Sequence, residues 1–294
     1  MSLKILAIAS YCEPIASDGA LPELKEMVKI STGVVVRRVT RFVQLALIGA
    51  GRCCENVEVA PDTGVYFSSC RGDTEVTASL LEDLISRKEL PSPVTFVNSV
   101  SNAACFHVAR ALGLHDRNNF VTNRFDPIVA ALTTAYVDIT RGEIATALVG
   151  SVDSASAPLA RHRQRLQVNT STVIGEGSHW MLVASPSDPR KGIGTIPGAH
   201  NFSGWEQLQA WLVGTGDYGN WLLAPGQHLS ETDANRIAEL IGTTACFDYS
   251  RNLPYYDSQT GAAIEQFIRE RNEPGMLHVN SDPAGRYSVV LVER

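Results

Sequence analysis

Six cysteines, at positions 12, 53, 54, 70, 105 and 246, are the side chains in this 294-residue sequence best suited to nucleophilic chemistry. A thiolate attacks an acyl carbon without needing a strong base. Cys105 lies in "SNAACFHV", in the first turns of a helical pattern, with His107 close behind. Residues two apart on a helix do not face each other, so the two make a poor thiol–imidazole couple, and a buried small hydrophobe is the commoner use. Cys70 in "YFSSCRGDTE" ends a strand beside an arginine, a neighbour that lowers a thiol pKa, but a structural use is the favoured reading. No two cysteines form C-x-x-C, so neither a zinc site nor a disulfide ladder is indicated, and no metal or cofactor is expected. Asp153 and Ser154 follow a buried strand at its carboxyl end, where open α/β sheets bind ligands.

A second candidate is a shape. "NNFVTNRFDPIVAAL" reads as a strand turning sharply into a helix: Phe120 and Val121 favour strand, Asn123 and Asp126 can cap, and Pro127 suits a first helical turn. Such elbows often carry a nucleophile at the tip. This tip holds Asn123, Arg124 and Phe125, and no Cys, Ser or Thr occurs from Asn123 to Leu132.

The elements that must position these residues alternate. "LKILAIASY" is a strand, "RVTRFVQLALIGAGRCC" a buried helix ending at Gly51, "TGVYFSS" a buried strand and "TEVTASLLEDLISRK" an amphipathic helix. "NAACFHVARALGL" is a helix closed by Gly113, the elbow follows, and "IATALVGSVDS" and "GSHWMLVAS" are buried strands. His179 and Trp180 in the last are read as core. After a softer stretch, "SPSDPRKGIGTIPG", the pattern resumes more sparsely and closes on a hairpin turning at Asp282 to Gly285. Strands alternating with helices imply a mostly parallel sheet covered on both faces.

Composition narrows the function classes. Hydrophobic residues make up 44% of the chain, enough for a sizeable core, and the net charge of −6 is interspersed. The densest basic run, "RHRQR" at Arg161 to Arg165, is a short solvated loop, so no nucleic acid is expected as a partner. No stretch approaches the ~20 apolar residues of a membrane span, and the N-terminus lacks a signal peptide's apolar core and cleavage site. The expectation is a reduced, soluble, cytoplasmic protein.

Five segments in order carry a family resemblance: "RRVTRFVQLAL", "TGVYFSSCRGDTEV", "FVNSVSNAACFHVARALGLHDRNNFVTN", "ITRGEIATALVGSVDS" and "VIGEGSHWMLVAS". Together they resemble the β-ketoacyl synthases of the thiolase superfamily, well over residues 1 to 185 and loosely beyond. The resemblance implies a thiolase-like α/β fold, with two similar βαβαβ-type halves in a layered α/β/α/β/α arrangement. Residues 1–185 would form the first half and 186–294 a shortened second one. It also implies a nucleophilic cysteine at the elbow, where this chain has Phe125, and two histidines. Their places are taken by Pro225, with His228 facing a different direction on the same loop, and by Tyr256 or Asp257.

The condensing machinery is thus expected to be absent, with Phe125 plugging the thioester pocket. The resemblance implies a chain length factor-like subunit that forms a homodimer or pairs with an active ketosynthase. The interface would be the strand at Phe120, Val121, Thr122 and Asn123, and an acyl carrier protein would be a further partner. The competing reading is a divergent active 3-oxoacyl-carrier-protein synthase using Cys105 or Ser258 as acyl acceptor. The Tyr255–Tyr256 doublet lines a pocket on one reading and packs in the core on another.

Overall fold

In a computed structural model of the chain, residues 2–16, 20–100, 102–156 and 158–294 are described. Five strands form the first part: β1 (Leu3–Pro14), β2 (Gly64–Ser69), β3 (Asn118–Thr122), β4 (Thr146–Asp153) and β5 (Gly175–Ala184). Four form the second: β6 (Gly194–Phe202), β7 (Leu222–Pro225), β8 (Gly275–Ser281) and β9 (Tyr287–Glu293). They join in the order β3-β2-β4-β5-β1-β6-β9-β8-β7. The seam between β1 and β6 is short, pairing Leu3, Lys4 and Ile5 with Ile196, Thr195 and Gly194.

On either side of that seam the pairing repeats. β1 runs antiparallel to β5, β5 antiparallel to β4, and β4 parallel to β2. Likewise β6 runs antiparallel to β9, β9 antiparallel to β8, and β8 parallel to β7. The first part adds β3 as a parallel edge strand. The second replaces it by one parallel bridge between Leu223 and Cys246. The second half is therefore reduced by its edge strand.

Side-chain alternation along each strand separates the layers. Val65 and Phe67 of β2 pack outward with α2 (Arg41–Cys54) and α5 (Ala103–Leu112), while Tyr66 packs inward. Leu277 and Val279 of β8 pack outward with α8 (Trp205–Thr215) and α9 (Glu231–Ile241), while Met276 packs inward. The inward residues of both parts meet α6 (Ile128–Thr140) and α10 (Thr260–Glu270) in one apolar cluster. The α6 helix touches β2 and β4 of the first part and β6 of the second, and α10 touches β1 and β5 as well as β8. The result is the expected α/β/α/β/α stack, with the two middle helices shared. No helix among the described residues is long and apolar enough to cross a membrane.

Five expectations are corrected. The sheet is not mostly parallel: β2–β3, β2–β4 and β7–β8 are parallel, but the five pairings from β4 through the seam to β8 are antiparallel. The basic run at Arg161 to Arg165 is not a solvated loop but part of a helix, α7 (Leu159–Leu166), which buries His162 and Leu166 and ties Arg165 to Thr74 and Ser156. The α2 helix runs through Gly51 to Cys54, because Gly51 lies tight against the Ser31 backbone, where a side chain would not fit. The helix expected over "TEVTASLLEDLISRK" divides into α3 (Thr74–Leu81) and a π-helical turn (Glu82–Arg87). Neither Asn123 nor Asp126 caps α6, whose N-cap is Pro127 with no side-chain cap. The Asp126 carboxylate is held elsewhere.

Candidate functional site where two middle-layer helices begin

The residues singled out in sequence, Cys105 and its neighbour His107 excepted, converge where α6 and α10 begin. The first elbow leaves β3 at Thr122 and enters α6 at Ile128. Its turn is completed by Asp126 at φ +48, a left-handed conformation that Asp tolerates better than most residues. Two hydrogen bonds hold it there: Thr260 Oγ1 donates to Asp126 Oδ1 at 2.6 Å and Ser288 Oγ donates to Oδ2 at 2.7 Å. Asp126 thereby ties the elbow to α10 and to β9. A carboxylate capping α6 would have left these buried hydroxyls unpaired.

Phe125 stands at the tip, half-buried. The Arg124 guanidinium lies 5.5 Å from its ring centre, and the His228 ring meets it edge-on at 5.5 Å. The resemblance casts this ring as a plug for the thioester pocket. The ring lines a cavity of about 500 Å³ whose other walls include Asn123, Asn201, Gln207, Ser281, Arg286 and Ser288. Three hydroxyls of this wall are committed to fixed acceptors: Ser281 to the His228 carbonyl, Ser288 to Asp126 and Tyr287 to Asp233. None of those partners is an imidazole, so no serine–histidine couple forms on this wall.

The loop after Pro225 bridges the elbows. Gly226 donates its N–H to the Val279 carbonyl at 2.6 Å, and Asn280 Oδ1 accepts from the His228 N–H at 3.1 Å. Gln227 Nε2 donates to the Asp257 carbonyl at 3.3 Å. His228, expected to face a different direction on this loop from the family histidine, lies with its imidazole against Phe125. Burial pushes the His228 pKa down, partly offset by the charges of Asp257 and Asp126.

The second elbow, ahead of α10, is closed. Tyr256 is 1% exposed and Ser258 and Gln259 are 4% exposed. Tyr256 Oη lies 2.8 Å from His179 Nε2, whose Nδ1 lies 2.6 Å from Ser10 Oγ, and the two rings stack at 5.7 Å. Gly177 and Gly261 make this stack possible, since a Cβ at either would collide with Tyr256 or His179. Burial drives the His179 pKa down to about 3, so this imidazole stays neutral and serves the core. Tyr256 is likewise a satisfied core tyrosine.

Beside it, Arg71 Nε donates to Asp257 Oδ2 at 2.6 Å. Asp153 accepts from Ser69 Oγ at 2.8 Å, from the Cys70 N–H at 3.2 Å and from Ser258 Oγ. Burial and the Asp257 charge push Asp153 up to about 6, against the pull of those donors. Cys70 Sγ lies 3.5 Å from Ser258 Oγ, inside this network. Its arginine neighbour does not activate it: burial and the Asp153 charge raise its pKa well above that of a free thiol. Ser258, a candidate acyl acceptor in sequence, faces a carboxylate without an imidazole and is nearly inaccessible. Cys105 is fully buried among the outer-layer helices, on the far side of the first sheet from both elbows, and burial pushes its thiol to about 12. His107 is not its hydrogen-bond partner; Cys105 Sγ donates to the Asn119 carbonyl at 3.5 Å.

Sequence reading missed Asp126 as a tie, Gln227 and Asn280 as bridges and Ser69 as a donor. Each acts through a partner more than fifty residues away except Gln227, thirty away, and none sits in a recognisable local motif. Among the described residues no group of three or more His, Cys, Asp or Glu is placed to hold a metal.

Comparison with known proteins identifies the fold. Among curated proteins none matches the chain in sequence. Among solved structures, the ishigamide ketosynthase/chain length factor superimposes with a TM-score of 0.72 at 16% identity, covering 100% of this chain and 99% of that one. A type II polyketide acyl-carrier protein in complex with its ketosynthase bound to the hexaketide gives 0.70 at 13%, with 99% of each chain covered. A β-ketoacyl synthase from Burkholderia phymatum gives 0.68 at 12%, again with 99% of each covered. These likenesses establish the thiolase-like ketosynthase fold. Residues 14–181, more than half of the chain, match the N-terminal domain of β-ketoacyl synthases, and the chain belongs to that family.

Proposed function

We propose that this chain is a non-catalytic β-ketoacyl synthase-like subunit that pairs with an active ketosynthase, as a chain length factor does. The pathway would be type II polyketide, aryl polyene or fatty-acid-like biosynthesis. The observation that carries the reading is Phe125 at the tip of the first elbow, where the resemblance calls for cysteine. A phenyl ring forms no thioester. Pro225 and the buried Tyr256 and Asp257 occupy the places of the two histidines, and His179, the imidazole deepest in the site, is held neutral in the core. Support for the pairing comes from β3, an edge strand next to the elbow, and from the ketosynthase/chain length factor and ketosynthase–carrier structures whose fold it shares.

The competing reading, an active synthase with relocated chemistry, needs Cys105 or Ser258, and both are buried without an imidazole partner. The test is intact mass spectrometry after incubation with acyl carrier protein loaded with a medium-chain acyl group. Wild type should show no acyl adduct and release no β-ketoacyl product, and Phe125→Cys alone should restore no condensation. When a ketosynthase that associates with this chain is supplied, product length should change with substitutions at the interface. A stoichiometric adduct on wild type followed by β-ketoacyl release would overturn the reading.

A further inference from the structure

A second cavity, of about 260 Å³, lies on the outer face of the first half, on the other side of the sheet from the elbows. Its walls are aliphatic: Val34, Val36, Val39, Leu47 and Ala111. Leu47 belongs to the outer-layer core, and Val36, Val39 and Ala111 pack against it. Its rim is cationic, formed by Arg37, Arg110 and His107. Among the described residues neither guanidinium has an ion-pair or hydrogen-bond partner for its side chain, although acids outnumber bases in the chain, 31 to 25. The Arg110 charge, after burial, holds the His107 pKa down. The segment closing the cavity is held in an unusual shape. Gly33, φ +71, closes the helix α1 (Lys25–Thr32) in the usual left-handed way, but Arg38 also takes positive φ, +55, and Val34 and Val35 between them line the cavity at 36% and 67% exposure. A non-glycine residue in that region is retained where surrounding structure or function requires it.

From this geometry we infer a binding site for a monomeric medium-chain aliphatic carboxylate, separate from the elbows and independent of the reading of the chain as a ketosynthase partner. The cavity is below the usual size for a drug-like ligand, so it suits one unbranched chain. Its walls offer no aromatic face for a ring to stack on. The forked guanidinium geometry matches a carboxylate, and a cationic rim rejects an amine. The chain lies along the valines and the head group meets Arg37 and Arg110.

The probe is octanoate, titrated into protein labelled with ¹³C at the valine methyls, with octanol and octylamine as controls. Octanoate should give saturable shifts at Val34, Val36 and Val39, octanol weaker binding and octylamine none. The double variant Arg37→Gln, Arg110→Gln should bind octanoate about tenfold or more weaker while its other valine methyls keep their positions. Added salt should weaken wild-type binding in the same direction. Equal binding of octanol and octanoate, no saturable shift, an unchanged affinity in the double variant, or shifts confined to the elbow cavity would each overturn the site. So would a response to phosphatidylglycerol vesicles with none to free octanoate, since the patch would then be a membrane contact. The head-group comparison uses wild type alone, so the inference stays testable even where the variant fails to fold.

Discussion

The two elbows occupy corresponding places in a repeated architecture, one ahead of α6 and the other ahead of α10, yet they have diverged in opposite directions. The second is stitched shut: Tyr256 stacks on His179, Ser258 binds Asp153, and Asp257 is paired with Arg71. The first is open at its tip. Phe125 is half-buried against a cavity, and Asp126 beneath it is tied into the second half. On the proposed reading of a subunit without its own condensing chemistry, the second elbow is free to become core, while the first stands beside an edge strand.

The largest effect should come from emptying the closed elbow. Tyr256→Ala removes a fully buried ring and leaves His179 Nε2 unpaired, so it should cost about 3–5 kcal/mol, read as a lowered midpoint in urea unfolding with an unchanged slope. Tyr256→Phe keeps the ring and should cost about 1–3 kcal/mol, the penalty for an unsatisfied imidazole nitrogen. If Tyr256→Ala is as mild as a surface change, the second elbow is not core and the contrast collapses.

The next test concerns the ends of the sheet. At one end β3 presents five residues with no further strand beyond it. At the other, the short β7 is blunted by the 245–247 segment, through Leu223 N–H to the Ala245 carbonyl and Phe247 N–H to the Leu223 carbonyl. Exposed edges invite pairing, so β3 is the expected interface strand, through Phe120, Val121, Thr122 and Asn123. Val121→Lys should abolish association with a copy or a partner ketosynthase in sedimentation, while Leu222→Lys should act on stability instead. A wild-type monomer at micromolar concentration would remove the homodimer, and association undisturbed by Val121→Lys would remove β3 from the interface altogether.

Acid should find the closed elbow before the open one. His179 has a folded pKa of about 3 and His162, buried nearby, of about 4, against 6.5 for a free imidazole. A depressed histidine pKa means that stability is full above pH 6.5 and is lost as pH falls towards 3 and 4. At pH 5 the His179 term alone amounts to about 2 kcal/mol. Asp153 acts with the opposite sign. Its pKa, raised from 3.8 to about 6, makes the folded state gain stability as pH falls from 6 to 3.8. Wild type should therefore soften only gradually between pH 6.5 and 5. Asp153→Asn removes the compensating proton, so its stability should fall more steeply over the same interval. A variant that parallels wild type would show that Asp153 does not titrate there.

Sequence was informative where the determinant is local. The alternation of strands and helices, the ordered segments from "RRVTRFVQLAL" to "VIGEGSHWMLVAS" and the sharp turn after β3 are all written in runs of adjacent residues, and the layered fold followed from them. The site was legible only in its outline. That Asp126 would leave the cap position depends on Thr260 and Ser288, more than a hundred residues away. That His228 would lie against Phe125 depends on Asn280 holding the loop. That Arg71 would serve Asp257 instead of activating Cys70 depends on which of two neighbours is nearer in space. Such ties between distant segments have no period or spacing to read.

The smallest expected effect is at the open tip itself, and it is the finest test of the contrast. Phe125 is half-exposed, so truncating it removes one edge-on contact with His228 and the shelter of Arg124. Aromatic pairs of this kind contribute about 0.5–1.5 kcal/mol beyond area, and the ring has already paid only part of its burial. Phe125→Ala should therefore lower stability by about 1 kcal/mol, several times less than Tyr256→Ala, while enlarging the cavity beside Asn201 and Gln207. Asp126→Ala at the next position should do more, because it strands the Thr260 and Ser288 hydroxyls and places a residue without a hydrogen-bonding side chain at positive φ. The ordering Tyr256→Ala, then Asp126→Ala, then Phe125→Ala is what an open tip on a fixed base requires. A Phe125→Ala cost equal to that of Tyr256→Ala would mean that the tip is as much core as the second elbow, and the ring would then be a plug after all.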